Sequence, residues 1–329
     1  MRLLRKRQHA TRLWFAMATL LFGLMSAPWA VAQTAWKPTK PVTIIVPYSP
    51  GGGNDAVGRF LAKELQRLWG QPVNVENHAG ADGLVGTRKA IDARPDGYTL
   101  LVQIPSLVLN AYLPGFKGID PVKQLVPVSA FARLSGVIAI NASIPANSMA
   151  ELVTFCKTGA QPCSFATTEA GARLRAQQLG VDIPSLVVVN YKGGGQLITD
   201  LVGNSVNIAL MGYTAVIPYM NSKALKVLMS VGKARTAVLP DVPTAAEAGF
   251  PQLESDTWYG LFAPLATPPE IVESISATVR EALKDEGLRK SFATLGGVTV
   301  GNTPAEFAAL VRDDAEKWRE LVRRFPIQQ

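Results

Sequence analysis

The sequence predicts two α/β lobes with mostly parallel sheets. Three observations predict it: strands alternate with helices along the chain, the alternation falls into two series that part near residue 130, and each series carries a glycine-rich strand-to-helix turn.

The first series opens with Val42 to Val46, whose four apolar β-branched residues suit a parallel strand covered on both faces. Gly51, Gly52 and Gly53 follow, and Asn54 or Asp55 is placed to cap a helix with apolar positions Val57, Phe60, Leu61, Leu65 and Leu68, ended by Gly70. A second strand is expected over residues 71–76, a helix over 83–93, and a third strand over 98–103 after the turn Arg94-Pro-Asp-Gly97.

The second series starts with a strand over 137–141 and a helix opened by Ser148, with Glu151 completing a capping box. Strand 163–167, helix 169–179 and strand 185–191 come next, then Lys192-Gly-Gly-Gly195 and a helix through Leu197, Ile198, Leu201 and Val202. Strands 207–213 and 225–231 close the series. The C-terminal part has a strand at 258–263 and a helix from Pro268 and Pro269 to about Lys284. Its last helix is opened by Thr303-Pro-Ala-Glu306 and runs to about Arg324.

The N-terminus reads as an export leader, residues 1–32. Arg2, Arg5, Lys6, Arg7 and Arg12 form a basic start, Leu13 to Met25 an apolar run short of a membrane span, and Ala30-Val-Ala32 a cleavage site before Gln33. The alternative is an uncleaved anchor. Of 33 basic residues five leave with the leader, so 28 face 25 acidic ones and the net charge is +3. With no dense basic stripe, nucleic acid is excluded as a partner class. Cys156 and Cys163 either close a short disulfide loop in an oxidising compartment or are two small buried side chains. No metal-ligand spacing surrounds them.

A helix start after a glycine turn offers unpaired N–H groups and a partial positive charge, which suits a carboxylate. Neither turn is a P-loop or a dinucleotide fingerprint, so no nucleotide cofactor is expected. Ligands of open α/β sheets bind beyond the carboxyl ends of the strands, where both turns fall.

Several segments carry a family resemblance. Pro47-Tyr-Ser-Pro-Gly-Gly-Gly-Asn-Asp55, Gly70-Gln-Pro-Val-Asn-Val-Glu-Asn77, Pro95-Asp-Gly-Tyr-Thr-Leu-Leu101, Tyr191-Lys-Gly-Gly-Gly195, Leu239-Pro-Asp-Val-Pro-Thr-Ala-Ala-Glu-Ala-Gly249 and Trp258-Tyr-Gly-Leu-Phe-Ala-Pro264 occur in order. The chain resembles the Bug receptors, periplasmic solute-binding proteins of the tripartite tricarboxylate transporter system. The resemblance implies a type II periplasmic binding protein fold, two α/β lobes with a ligand cleft between them. It also implies a small carboxylate ligand passed to membrane permease subunits. The expected lobes are 33–133 with 233–329, and 134–232, hinged near 130–136 and 230–235.

The resemblance places the ligand carboxylate at Tyr48, Ser49, Gly52, Gly53 and Asn54, with the N–H groups of Gly52 and Gly53 as donors and Asp55 as a helix cap. In the second lobe Thr167-Thr-Glu-Ala-Gly171 and Arg173 replace the usual Gly-Ser/Thr turn and His. Thr167 and Thr168 offer hydroxyls. Arg173 either grips a carboxylate with two parallel hydrogen bonds or pairs with Glu169 and faces water. Gly193 and Gly194 form the second glycine turn. Leu210-Met-Gly-Tyr213 lacks the Asp common in relatives, and Tyr213 offers a hydroxyl or an aromatic wall instead. In the apolar stretch 102–109, Gln103 and Ser106 are the polar candidates, and Ile104 or Leu107 hints at an apolar ligand body.

No catalytic constellation emerges. His78 is the single mature histidine, and no nucleophile elbow or His pair is present. The expectation is a monomeric receptor and not an enzyme. The alternative reading is a sensor that presents its closed form to a two-component histidine kinase.

Overall fold

Val42, Ile44 and Val46 pack into one apolar cluster while Ile45 joins another, so the first strand is indeed covered on both faces. The computed structural model describes residues 36–112, 120–191 and 194–325; the expected leader and Gly193 lie outside the described residues. The first part runs β1 (Val42–Val46), α1 (Gly53–Trp69), β2 (Val73–Asn77), α2 (Leu84–Ile91), β3 (Thr99–Gln103), α3 (Ser106–Leu109) and α4 (Pro121–Gln124). Next come β4 (Leu125–Asn141), α5 (Met149–Thr158), β5 (Ser164–Thr167), α6 (Ala170–Asp182), β6 (Val187–Asn190), α7 (Gly194–Val202), β7 (Ile208–Gly212), α8 (Tyr213–Asn221) and β8 (Leu225–Ser230). The chain ends with β9 (Asp256–Pro264), α9 (Pro269–Ala282), α10 (Glu286–Thr294), β10 (Gly297–Thr299) and α11 (Pro304–Arg324).

The strands line up as β2-β1-β3-β9-β4-β7-β5-β6, with β8 and β10 both pairing β4. The expected strand 137–141 is only the second half of β4. Its first half, from Leu125 to Ser135, pairs with β9, and its second half, from Gly136, pairs with β7 and β8. One strand therefore serves both lobes. The sheets are mixed rather than mostly parallel: β1 runs parallel to β2 and β3, and β5 to β6 and β7, but every pairing of β4 and β9 is antiparallel. These two strands return the chain without a crossover helix, which a parallel pairing requires.

Each lobe has apolar clusters on both faces of its sheet. One cluster ignores the boundary. Ala170 and Leu174 of α6, in the second lobe, are buried with Phe307, Val311 and Trp318 of α11 and with Leu107 to Leu109 of α3. Residues 233–255, which the sequence reading groups with the first lobe, place Ala245 and Leu253 in the second lobe's core. The two chain crossings touch: a Cβ at Gly232 would collide with Oγ of Ser135, which donates to Asp256 at 2.8 Å.

Local signals explain most ends. Thr303 and Glu306 form both halves of a capping box at α11. At α5 only half the box forms: Ser148 Oγ accepts from the N–H of Glu151, whose carboxylate accepts from Asn147 instead. Cys156 and Cys163 are joined as a disulfide. The sequence reading missed α3, α4, α8, α10 and β10. It ran the β7 strand on through Tyr213, where α8 begins and carries Pro218 within it.

Candidate functional site

The turn after β1 sets up a helix start with free donors. Gly51 needs its glycine, because φ is +82°, a left-handed conformation that L side chains rarely adopt. Gly52 is the N-cap of α1 and has no side-chain cap. Asp55 does not cap the helix, contrary to expectation. Its carboxylate accepts from the Gly51 N–H at 3.0 Å, from Arg59 at 3.0 Å and from Asn77 Nδ2 at 2.9 Å, and so knits the turn to β2. Burial pushes this acid up, but those hydrogen bonds outweigh it and hold the carboxyl below its ordinary value. The first-turn N–H groups of α1 have no intrahelical acceptor. Gly51, Gly52, Gly53 and Ser49 are exposed, and a Cβ at Gly53 would lie 3.7 Å from the hydroxyl of Tyr259 on β9. Asn54 turns a buried, unpartnered Oδ1 beside this start.

A second turn, Gly80 to Gly83, follows β2. Gly80, Ala81, Asp82 and Gly83 all have positive φ, which for Ala81 and Asp82 costs roughly 1–2 kcal/mol each. Asn110 holds the turn by donating its amide to the Asp82 carbonyl. The turn lies against Tyr48 and Gln103: a Cβ at Gly83 would be 3.2 Å from Gln103 Nε2 and 3.4 Å from the Tyr48 hydroxyl.

Gln103 is buried and fully engaged. Its Oε1 accepts from Tyr48 at 3.2 Å and from the Ile104 N–H at 3.0 Å, while Nε2 donates to Thr87 at 3.1 Å. It positions Tyr48. Ser106, at the start of α3, donates to Oε2 of Glu169 at 2.9 Å. Ile104 and Leu107 are buried in apolar clusters.

From the second lobe, the start of α6 completes the site. Glu169 precedes the helix, its main chain fixed by reciprocal bonds with the Thr167 hydroxyl. Thr167 is fully buried and Thr168 exposed. Arg173 pairs with Asp82 at 3.0 Å rather than with Glu169, and at 15% side-chain exposure it does not face water. Its Nε is buried and unpartnered. Arg175 sits behind, 5.4 Å over the ring of Trp318 and bonded to Gln178, and burial lowers its pKa to about 10.

The structure thus gathers Tyr48, Gln103, Ser106, Thr167 and Arg173, with Gly53 close by through Tyr259. Tyr213 and Gly194 are placed elsewhere. Tyr213 is buried in the second lobe's core, with its hydroxyl 2.6 Å from Ser230 Oγ and its ring against Gly296. Gly194 is an exposed first residue of α7.

Asp82, Glu169 and Tyr259 belong to this cluster and were not among the sequence candidates. The spacing Gly80-x-x-Gly83 between strand and helix was the available signal for Asp82. Burial, above all, raises Glu169 above the ordinary carboxylate range, only partly offset by the Ser106 hydrogen bond. Burial also raises Tyr48 and Tyr259, with Glu169 adding to both. Among the described residues no group of three or more His, Cys, Asp or Glu side chains could hold a metal ion.

Two α/β lobes that share strand β4, with donors and acceptors converging between them, define a solute-binding protein of the periplasmic binding class. A family profile described as "Tripartite tricarboxylate transporter family receptor" matches residues 57–327, and the chain belongs to that family. It is 32% identical over 291 residues to Protein BugT of Bordetella pertussis, covering 87% of this chain and 89% of that one. Among solved structures, the periplasmic binding protein BugD superposes with a TM-score of 0.79 at 27% identity, covering 87% and 98% of the two chains. MatC from Rhodopseudomonas palustris with bound malate gives 0.77 at 28% identity, covering 87% and 99%. The type II fold and the Bug-receptor resemblance read from the sequence both stand. Among the described residues no helix is long and apolar enough to cross a membrane.

Proposed function

We propose that this chain is exported by a cleaved leader, residues 1–32, and captures a small carboxylate solute between its lobes. It then hands the solute to the membrane subunits of a tripartite tricarboxylate-type permease. The observation that carries this is the helix start at Gly52 and Gly53, which no side chain caps and which lies beside Tyr259. A carboxylate accepts from such N–H groups and is favoured by the helix dipole. Malate, named for MatC, is a solute of this kind.

Capture is reversible and involves no covalent step. His78, the one histidine of the mature chain, sits at the surface between Glu76 and Lys89. The receptor works as a monomer and does not bind nucleic acid. Closure turns about the two crossings, Ser135–Gly136 in β4 and the return between Val231 and Asp256. Contacts such as Ser106–Glu169 form only when the lobes meet, and a ligand that bridges them shifts the balance toward the closed form.

A thermal-shift screen of residues 33–329, refolded to strip retained solute, tests the reading. Carboxylates at about a hundredfold over Kd add roughly 2.7 kcal/mol, a clear rise in Tm. A flat response to every carboxylate overturns it. Solution scattering that shows no compaction with a saturating hit overturns lobe closure alone.

A further inference from the structure

The first turns of α6 belong to the second lobe but bury themselves on the first. Ala170 and Leu174 are fully buried in one cluster with Leu107 to Leu109 of α3 and with Phe307, Val311 and Trp318 of α11. Gly171 faces the same helix, since a Cβ there would lie 3.9 Å from the Trp318 ring. The contact is helix on helix and apolar, and surface taken from water there favours closed lobes.

One residue beside this patch opposes it. Arg175 is 9% exposed, and its guanidinium lies 5.4 Å over the ring of Trp318, on the opposite lobe. Nη1 donates to Gln178 at 2.8 Å, and Nε is buried without a partner. Arg173 has a salt bridge to Asp82, whereas Arg175 has none among the described residues. Asp314 is occupied by Trp258 and by Lys317 at 3.8 Å. Burial lowers the Arg175 pKa to about 10, the charges of Glu169 and Asp314 offsetting it only in part, so the group is still a cation at neutral pH. Covering a guanidinium with no carboxylate bonded to it costs free energy, which stacking on an aromatic ring returns only in part. When α6 leaves α11, Trp318 no longer covers Arg175 and the cation regains water.

We propose that Arg175 is a release residue: covered by Trp318 when the lobes meet, its guanidinium opposes the apolar closure of α6 on α11 and limits how tightly any solute is held. This rests on the receptor reading above and adds a control that lies outside solute recognition. A solute that binds the closed form has its apparent affinity scaled by the fraction of closed protein. That scaling is common to all solutes, because Arg175 acts on the lobes through Trp318 and not on the solute. A receptor that hands its cargo to a membrane partner has to reopen, and an apolar clasp alone resists reopening.

The test replaces Arg175 by methionine, which keeps an apolar stem over Trp318 and removes the charge. Malate, succinate and adipate are titrated calorimetrically into the mature chain, residues 33–329, refolded to strip retained solute. Arg175→Met should bind each acid that the parent binds roughly threefold tighter or more, by one common factor and through slower dissociation. Leu174→Ala keeps the cation and trims the clasp, and should weaken the same acids by a common factor. Solution scattering without solute should give a smaller radius of gyration for Arg175→Met than for the parent. Unchanged or weaker binding in Arg175→Met overturns the inference. So does a factor that differs between the acids, which would make Arg175 a solute contact. An unchanged or larger radius overturns it whether or not an acid binds. Silence from all three acids in the parent counts against the receptor reading alone, and the radius still decides the role of Arg175.

Discussion

Arg173 on α6 donates Nη2 to Oδ2 of Asp82 at 3.0 Å, joining residues 91 apart in sequence and on opposite lobes. Asp82 sits in a turn of positive-φ residues, so a strained loop of one lobe is held by a guanidinium of the other. Neither reading of Arg173 made from the sequence included this partner, since Glu169 was the acid at helical spacing.

A double-mutant cycle measures that link. Arg173→Ala and Asp82→Ala should each destabilise the protein to urea, and the pair should couple by about 1 kcal/mol, as partly buried ion pairs do. Strict additivity would mean that the contact does not hold the lobes.

Gly51 and Gly53 should separate stability from binding. Gly51→Ala places a Cβ at φ +82° and should cost about 1 kcal/mol in denaturant unfolding. Gly53→Asp has room for its Cβ, yet sets a carboxylate at the helix start, and should abolish carboxylate binding while the protein stays folded. Unchanged affinity in Gly53→Asp would remove the anion site from this turn.

Asp55 makes an acid-dependent contribution. Its folded-state pKa lies below the ordinary value, so the unfolded chain binds the proton more readily. The stabilisation is complete above the ordinary carboxylate value, near 3.8, and is lost as pH falls through the lower folded value. Asp55→Asn should be less stable than the parent at neutral pH, with the gap closing in acid. A gap that stays constant with pH in chemical denaturation would contradict this.

The Cys156–Cys163 bond, with a sequence separation of 7, should contribute about 2.5 kcal/mol by the loop-entropy estimate. It lies at the start of β5, while Thr167 and the site lie at its end. Replacing both cysteines by alanine should lower Tm and leave ligand affinity within about twofold. A large loss of affinity would tie the disulfide to the site.

Gly232→Ala should act on the hinge. The added methyl meets Ser135 and displaces its hydrogen bond to Asp256, at a cost of about 1–3 kcal/mol. Scattering of the ligand-saturated variant should show a changed balance of open and closed forms. An unchanged balance would place the pivot elsewhere.

The sequence alone determined what short-range chemistry can write. Glycine at a positive-φ turn, the Thr303–Glu306 capping box and the apolar run of Val42 to Val46 each depend on residues a few positions apart. The glycine turn, the helix start behind it and the two-lobe class were therefore legible, and the family followed from ordered motifs. Tertiary structure alone decided that β4 runs through both lobes, since pairing with β9 and then with β7 depends on strands far along the chain. It also decided that Tyr213 is spent in the core, and that Asp82, Ser106, Glu169 and Arg173 meet. Such meetings are set by how two lobes close on each other, and no local spacing encodes the distance between residues on facing surfaces.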